Sequence, residues 1–205
     1  MKIMHAYADR AGDLYETAPV AVRALLAAEW LPSRIWEPAC GPGAIVRELR
    51  LSGRTVVASD VTDHGCPGQT VSDFLQAAVA PPGVDCIVTN PPYRFAAEFV
   101  EHGLSLCPRV VMLLRLAFLE GGTGTRRASM ARQAVLDGGQ LARVHQFRER
   151  LPMMHRAGWV GPIATSSTPF AWFVWDRSWR GPTQMHRISW KPFAEAAQAL
   201  PMAAE

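Results

Sequence analysis

The residues best suited to chemistry are Asn90, Pro91, Pro92 and Tyr93, which end an apolar run that begins at Val84. Asn90 offers an amide oxygen as a hydrogen-bond acceptor, Pro91 retains a main-chain carbonyl, and Tyr93 offers a flat aromatic face. Together these groups suit a planar molecule that carries an NH2 group. The alternative is a tight turn with a buried tyrosine, because asparagine-proline steps also mark ordinary turns.

A second candidate site is the glycine-containing turn at residues 37–43, between an apolar segment from Arg34 and a helical pattern from Ala44. Two glycines in such a turn let the backbone approach a bound molecule closely, and Glu37 can accept hydrogen bonds from an amine or a hydroxyl. The pattern is weak alone, because Val46 stands where a dinucleotide-binding fingerprint has its third glycine.

Two carboxylates follow this turn along the chain. Asp60 ends the apolar segment 55–60, seventeen residues after Gly43, where a ribose-binding carboxylate belongs in a βαβ unit. Asp73 precedes Phe74 after a loop, and it either contacts a ligand or caps a short helix. The first half of the chain therefore indicates a nucleoside-binding, Rossmann-like half-sheet.

The elements that must position these residues are apolar strands. Segments 84–89 and 110–114 show no polar alternation, which is typical of strands buried on both faces, and two prolines forbid continuation of the first. The polar residues after it therefore lie at the carboxyl end of a strand, where open α/β sheets bind ligands. Segments 141–150 and 170–175 are expected to pair as antiparallel strands.

The sequence thus predicts an α/β fold with a seven-stranded, mostly parallel sheet, an antiparallel final hairpin and helices on both faces. Helices are expected at 94–106 and 129–136. A further helix should begin near Thr17, which we expect to be its N-cap, with Pro19 in its first turn.

Length and composition predict a single domain over residues 1–205, without a separate target-recognition domain. Within its C-terminal extension, segment 179–190 is expected to add an edge strand or to pack against the sheet, and segment 194–205 to form a frayed helix. The three expected regions are an N-terminal helical region (1–33), a catalytic sheet (34–178) and this C-terminal extension (179–205).

Composition excludes several classes of protein. The chain is 49% hydrophobic, enough to bury a sizeable core. It has no run of about 18 apolar residues and no signal-peptide core, which predicts a cytoplasmic protein without a membrane span. The four cysteines are widely spaced in no metal-binding or disulfide pattern, so we expect reduced thiols, mostly in the core, and no metal.

The net charge of +3 conceals an asymmetry along the chain. Residues 1–108 carry 8 basic and 12 acidic side chains, whereas residues 109–191 carry 13 and 4. Nineteen of the 21 basic residues are arginine, which forks onto phosphates and stacks on bases, so an anionic polymer is the expected partner. The alternative is that arginine simply replaces lysine on a solvated face.

Taken as an ordered set, these motifs resemble those of S-adenosylmethionine-dependent amino-methyltransferases, in the order of the gamma-class DNA adenine-N6 enzymes. The resemblance covers roughly residues 14–120 by motif, and the whole chain is similar to small orphan enzymes carried by phages and prophages. It departs from the family pattern at Glu37, where aspartate is more usual, at Pro42 between the glycines, and in lacking a target-recognition domain. The matching residues are Tyr15, Thr17, Pro19, Glu37, Pro38, Ala39, Cys40, Gly41, Gly43, Asp60, Asp73, Phe74, Asn90, Pro91, Pro92 and Tyr93.

The resemblance implies a Rossmann-like class I methyltransferase fold that uses S-adenosyl-L-methionine, yields S-adenosyl-L-homocysteine and needs no metal. Asn90 to Tyr93 would hold the target amine, with Asn90 also touching the cofactor. The implied cofactor contacts at the methionine end are Tyr15 and Thr17, and those around the methionine and sulfonium are Glu37, Pro38, Ala39, Cys40, Gly41 and Gly43. Asp60 would bind the ribose hydroxyls and Asp73 with the Phe74 backbone the adenine, and Val61 is a further implied contact.

The expected reaction is methylation of the N6 amine of adenine in DNA with weak or short sequence preference. Four of the five candidate nucleic-acid contacts lie on two loops, 120–127 and 151–169, and the second loop could equally be a flap over the core. The fifth, Arg94, directly follows Tyr93. An RNA adenine or a protein glutamine methyltransferase could use the same motif, because both substrates present a planar amine. The sequence is also compatible with a nicotinamide-dependent enzyme or a non-catalytic nucleic-acid-binding module. The candidate contacts are Arg94, Arg126, Arg127, Arg156 and Trp159.

Overall fold

A sheet flanked by helices forms the centre of the computed structural model, which describes residues 16–120, 127–152 and 165–194. The helices in these ranges are α1 (Pro19–Ala28), α2 (Ala44–Leu51), α3 (Ala96–Leu106) and α4 (Arg127–Asp137). The strands are β1 (Arg34–Glu37), β2 (Thr55–Asp60), β3 (Gln69–Val71), β4 (Cys86–Thr89), β5 (Arg109–Arg115), β6 (Leu141–Phe147), β7 (Phe170–Asp176) and β8 (Gln184–Ile188).

The strands lie in the spatial order β3-β2-β1-β4-β5-β7-β6-β8. Strands β3, β2, β1, β4 and β5 are parallel, β7 is antiparallel to both of its neighbours, and β8 is parallel to β6. Every described strand except β7 therefore ends at the same edge, which we call the carboxyl edge, and the opposite one is the amino edge. Chain order reverses between β1 and β4, which makes their junction the switch point where such sheets bind ligands.

The predicted fold class is confirmed, including the mostly parallel sheet, the final antiparallel pair and helices on both faces. The predicted count of seven strands is wrong, because the described residues form eight. Strand β3 falls within a segment expected to be a loop, and β8 confirms the edge-strand interpretation of segment 179–190. Strand β6 ends at Phe147, earlier than the expected 150.

Two apolar layers pack the helices against the sheet. Helices α1 and α2 cover one face, and α3 and α4 cover the other. Two buried indoles of β7 bond to helices on opposite faces of the sheet. Trp172 Nε1 donates to the Ala21 carbonyl in α1 at 2.9 Å, and Trp175 Nε1 donates to the Val135 carbonyl in α4 at 2.8 Å. Gly103 lets α3 approach closely, because a Cβ there would lie 3.0 Å from Val110 Cγ2.

A buried ionic cluster fixes the carboxyl end of α1 to β6. Glu29 is 7% exposed and accepts hydrogen bonds from Arg143 Nε at 2.7 Å and Arg143 Nη2 at 2.9 Å. His145 Nε2 lies 2.9 Å from the same carboxylate. Because a buried charge is costly unless it is paired, these contacts specify where α1 ends on the sheet.

The four cysteines are free and buried, as predicted. Burial raises the pKa of Cys107 to about 11, so this thiol is protonated at neutral pH. In the described ranges no helix is both long enough and apolar enough to cross a membrane.

Candidate active site

Three polar side chains lie at the carboxyl ends of adjacent strands: Glu37 ends β1, Asp60 ends β2, and Asn90 follows β4. Glu37 and Asn90 therefore flank the switch point of the sheet. The fold thus brings together motifs that the sequence places in three separate segments, because parallel strands present their carboxyl ends at one edge.

Asn90 is oriented by a threonine from the start of α1. Its amide Nδ2 donates to Thr17 Oγ1 at 3.1 Å, and Thr17 is 5% exposed. The expectation that Thr17 caps α1 is wrong, since Ala18 occupies the N-cap without a side-chain capping bond, although Pro19 lies in the first turn as predicted. One of the two Nδ2 hydrogens is directed at Thr17, and Oδ1 is the acceptor of the Asn90 amide.

Tyr93 belongs to an aromatic and cationic cluster at the same edge. Pro92 leads into a short 3-10 helix, Tyr93–Phe95, so α3 begins two residues later than predicted. The Arg115 guanidinium lies 4.8 Å from the Tyr93 ring centroid, and the Phe170 ring lies 6.0 Å from it. Arg115 and Phe170 are cross-strand partners where β5 ends and β7 begins.

The sequence prediction missed both Arg115 and Phe170. The available signal was positional, because each stands at a strand end that the expected antiparallel pairing brings to the carboxyl edge. Their contact with Tyr93 depends on strand order and register, which the sequence pattern leaves open.

Glu37 is a fully buried carboxylic acid beside the turn after β1. Its Oε1 accepts a hydrogen bond from the Ala39 amide at 3.3 Å, whereas its Oε2 is buried without a hydrogen-bond partner among the described residues. Burial raises the pKa of Glu37 well above its usual range, and the nearby Asp60 charge adds to the shift. A buried acceptor of this kind is suited to a cationic or hydroxyl-bearing ligand.

Asp60 holds the turn after β1 in place. Its Oδ2 accepts from the Gly41 amide at 2.9 Å and its Oδ1 from the Thr62 amide at 3.1 Å. Gly41 has a φ of 49°, a left-handed conformation that favours glycine. The predicted ribose ligand is thus also a structural link between the ends of β1 and β2, while its neighbour Val61 is largely exposed.

Packing against Cys66 explains the glycine at position 43, a reason that the sequence interpretation did not include. Its φ is 92°, and a Cβ there would lie 2.7 Å from Cys66 Sγ. Close approach to a ligand is therefore not needed to explain this glycine. Pro38, Ala39 and Cys40 complete the turn, and the Cys40 amide donates to the Ser59 carbonyl at 3.0 Å.

Asp73 and Phe74 lie next to the end of β2, because the Ser72 amide donates to the Asp60 carbonyl at 2.8 Å. Asp73 caps a short 3-10 helix through a 3.0 Å bond from the Leu75 amide, which confirms the capping interpretation. The Phe74 ring is 2% exposed and packs in the core. A role for Asp73 at the cofactor adenine stays a prediction.

The predicted nucleic-acid contacts lie mostly outside the part of the chain that the structure describes. Arg94 is within it and is exposed, with its guanidinium 4.6 Å from the Phe95 ring centroid. The remaining predicted contacts, together with one predicted cofactor contact, lie outside the described backbone or side chains and stay predictions. They are Arg126, the side chain of Arg127, Arg156, Trp159 and, for the cofactor, Tyr15.

No protein-family model matches this chain, and no curated protein matches it in sequence. Solved structures do resemble it. A modification subunit of a proposed type I restriction enzyme from Vibrio vulnificus has a TM-score of 0.53 at 16% identity, and the match covers 88% of this chain but only 48% of that subunit. A proposed RNA methyltransferase from Pyrococcus horikoshii has a TM-score of 0.53 at 11% identity, covering 79% of this chain and 87% of that one.

A proposed class I S-adenosylmethionine-dependent methyltransferase from Listeria monocytogenes has a TM-score of 0.56 at 14% identity. That match covers 87% of this chain and 67% of the Listeria protein. Likeness at these identities establishes the fold alone. The chain therefore has the Rossmann-like fold of class I methyltransferases.

Proposed function

We propose that this chain is an S-adenosylmethionine-dependent methyltransferase that methylates the N6 amine of adenine in DNA. The observation that carries the proposal is the Asn90 amide, oriented by Thr17 beside the cluster of Tyr93, Arg115 and Phe170. This arrangement lies at the switch point of a methyltransferase-like sheet. It offers hydrogen-bond acceptors and aromatic faces together, as recognition of a planar amine requires.

The residues at the ends of β1 and β2 fit the proposed cofactor. Glu37 Oε2 is a buried acceptor suited to the cofactor's ammonium group, whose positive charge would offset the cost of burying the carboxylate. Asp60 retains lone pairs for ribose hydroxyls beyond its two backbone bonds, because a carboxylate accepts about four hydrogen bonds. Asp73 is exposed next to Asp60, where a nucleoside base could reach it.

When bound, the cofactor supplies an electrophilic methyl group on a sulfonium that becomes a neutral thioether. The residues of the chain must prepare a poor nucleophile, since the lone pair of an adenine amine is delocalised into the ring. Asn90 Oδ1 and the Pro91 carbonyl would accept the two amine hydrogens, which favours a pyramidal nitrogen with a localised lone pair. The nitrogen gains the methyl group and loses one proton to water, so both atoms and charge balance.

Alignment supplies most of the rate enhancement in this proposal. Holding two reactants in productive geometry can contribute roughly 7–11 kcal/mol of a barrier. Acceptors fixed in advance at the developing charge add to this without reorganisation. The bond from Asn90 to Thr17 supports the proposal, because it fixes the orientation of the Asn90 amide before any substrate binds.

The aromatic residues would receive a base that has left the duplex. Extrusion costs a few kcal/mol, and stacking on an aromatic side chain is worth about 1–3 kcal/mol per base. Tyr93 and Phe170 provide such faces, and Arg115 holds the Tyr93 ring from one side.

Incubation of the purified chain with methyl-labelled S-adenosylmethionine and separate pools of DNA, RNA and protein tests the proposal. Hydrolysis of the labelled pool should yield N6-methyladenine from DNA. Label in RNA nucleosides would identify an RNA methyltransferase, and label in protein glutamine would identify a protein methyltransferase. Nucleic-acid binding without transfer to any pool would identify a non-catalytic module.

A further inference from the structure

Four basic residues form a row along the carboxyl edge, beyond the aromatic cluster. Arg148 and Arg150 follow β6, Arg187 lies near the end of β8, and Lys191 comes just after β8. All four are exposed. We call them the basic row.

The basic row is held by a hydrogen-bonded frame. Strands β6 and β8 pair in parallel up to Phe147 and Ile188. Beyond that point, the Arg148 amide donates to the Ile188 carbonyl at 2.9 Å, and Trp190 Nε1 donates to the Arg150 carbonyl at 3.1 Å. The backbone that carries the row is therefore fixed relative to the sheet.

Several cations elsewhere in the described chain have carboxylate partners. Arg23 pairs with Glu48 at 2.7 Å and Arg143 pairs with Glu29 at the same distance, so these charges stabilise packing. No member of the basic row forms an ion pair with any described carboxylate. Glu149 lies between two of its members in sequence, yet it pairs with neither. Such exposed like charges do little for stability and are available to an anionic partner.

The position of the row matches the proposed site. Neighbouring strands lie about 4.8 Å apart, so β8 is about 14 Å from β5, which carries Arg115. Phosphates of one DNA strand follow one another about every 3.4 Å along the helix axis. The row therefore begins on β6, one strand beyond Phe170 on β7, and its far end on β8 lies about four nucleotides from Arg115.

We infer that the basic row binds the phosphate backbone of duplex DNA to one side of the base held at Tyr93. This inference rests on the proposed function, and it identifies the surface on which the DNA backbone would lie next to that site. Guanidinium and ammonium groups on phosphates position a duplex without reading its sequence, which agrees with the expected weak sequence preference.

The chain offers a matched control at the amino edge. Arg177 and Arg180 are also exposed, and with Trp179 they line a cavity of about 440 Å³ that contains none of the candidate active-site residues. Replacing these two arginines removes the same charge as replacing two members of the row. An effect of net charge alone would therefore be equal in the two variants.

The experiment measures the affinity of each protein for a 20-base-pair duplex of arbitrary sequence by fluorescence anisotropy over a salt series. The row variant Arg148→Gln/Arg187→Gln should make the negative slope of log affinity against log salt shallower by about 0.9 for each phosphate that is no longer neutralised, or by about 1.8 in total. The control variant Arg177→Gln/Arg180→Gln should keep the wild-type slope. Melting temperatures of both variants verify that the fold is intact.

Equal slopes in all three proteins would overturn the inference, as would an equal fall in the control or a wild type that does not bind the duplex. If the row variant changed the slope only for an RNA duplex of the same sequence, and not for the DNA duplex, that result would also overturn it. The readout is binding, so it is independent of turnover. If the wild type methylates DNA but the row variant keeps the wild-type slope, the role of the basic row is refuted and the proposed activity is not. If the row variant has a shallower slope but the wild type transfers no methyl group, the proposed activity is refuted.

Discussion

Thr17 is the residue whose role differs most from its sequence pattern. The Thr-Ala-Pro order is typical of a helix start, but the threonine hydroxyl accepts a hydrogen bond from Asn90 instead of capping α1. This contact fixes the orientation of the Asn90 amide, and in the proposed reaction that orientation would turn Oδ1 toward the target amine. We therefore regard Thr17 as a positioning residue for Asn90.

Replacing Thr17 by valine tests this role. Loss of one neutral hydrogen bond costs about 0.5–1.5 kcal/mol, so methyl transfer at saturating cofactor should slow by up to about tenfold. Thr17→Ser is the matched control, because it keeps the hydroxyl and should keep most of the rate. Calorimetry with S-adenosylmethionine separates positioning from cofactor binding. Weakened cofactor affinity with normal saturated turnover would assign Thr17 to the cofactor instead.

At the scale of elements, the Glu29 cluster sets where α1 meets the sheet. Glu29→Gln removes the charge that pairs with Arg143 and leaves the guanidinium without its partner. Breaking a buried pair costs about 3–5 kcal/mol, and we expect the lower end because the Arg143 side chain is 18% exposed. Urea unfolding measures the loss. The partly exposed Glu98, which forms no ion pair with a described residue, supplies a control, Glu98→Gln, that should change stability by about 0.5 kcal/mol or less.

The same substitution has a defined pH dependence. Burial alone would raise the pKa of Glu29, but hydrogen bonds from His145 and Arg143 outweigh it and lower the pKa below its ordinary 4.5. A carboxylate with a lowered pKa in the folded state stabilises the fold above its unfolded pKa, and that stability is lost as pH falls through the folded value. The difference between wild type and Glu29→Gln should therefore be full at pH 7 and should shrink in acid below about pH 4.5. A difference that grows in acid would contradict the assigned direction.

At the scale of the whole molecule, the sequence predicted the buried part of the sheet best. Strands β4 and β5 are continuous apolar runs, and each occupies the position that its pattern indicates. Strand β8 is exposed along most of its length, so it lacks the apolar signal that separates a strand from a packed extension. Strand β3 has only three residues, too few for periodicity to identify.

The sequence indicated those candidate residues whose side chains suit the chemistry by their type and position. It did not indicate the residues that join the candidate site only through tertiary contacts. Asn90 and Glu37 could be identified because each stands at the end of an apolar strand. The partner of Asn90 lies 73 residues away in sequence, and Tyr93 meets Arg115 and Phe170 only through strand order. Such pairings come from tertiary packing, which local patterns do not encode.

The central claim is that Asn90 prepares an amine for methyl transfer at the carboxyl edge. Its most direct test is the single-turnover rate of methyl transfer to adenine in DNA by wild type and Asn90→Ala, with S-adenosylmethionine affinity measured on the same samples. We expect a fall in rate on the order of a hundredfold or more, because one preorganised acceptor at the reacting centre is removed. Cofactor affinity should be largely retained, since Glu37, Asp60 and the turn at 37–43 are unchanged. Near-normal transfer by Asn90→Ala would contradict the account and remove Asn90 from the mechanism.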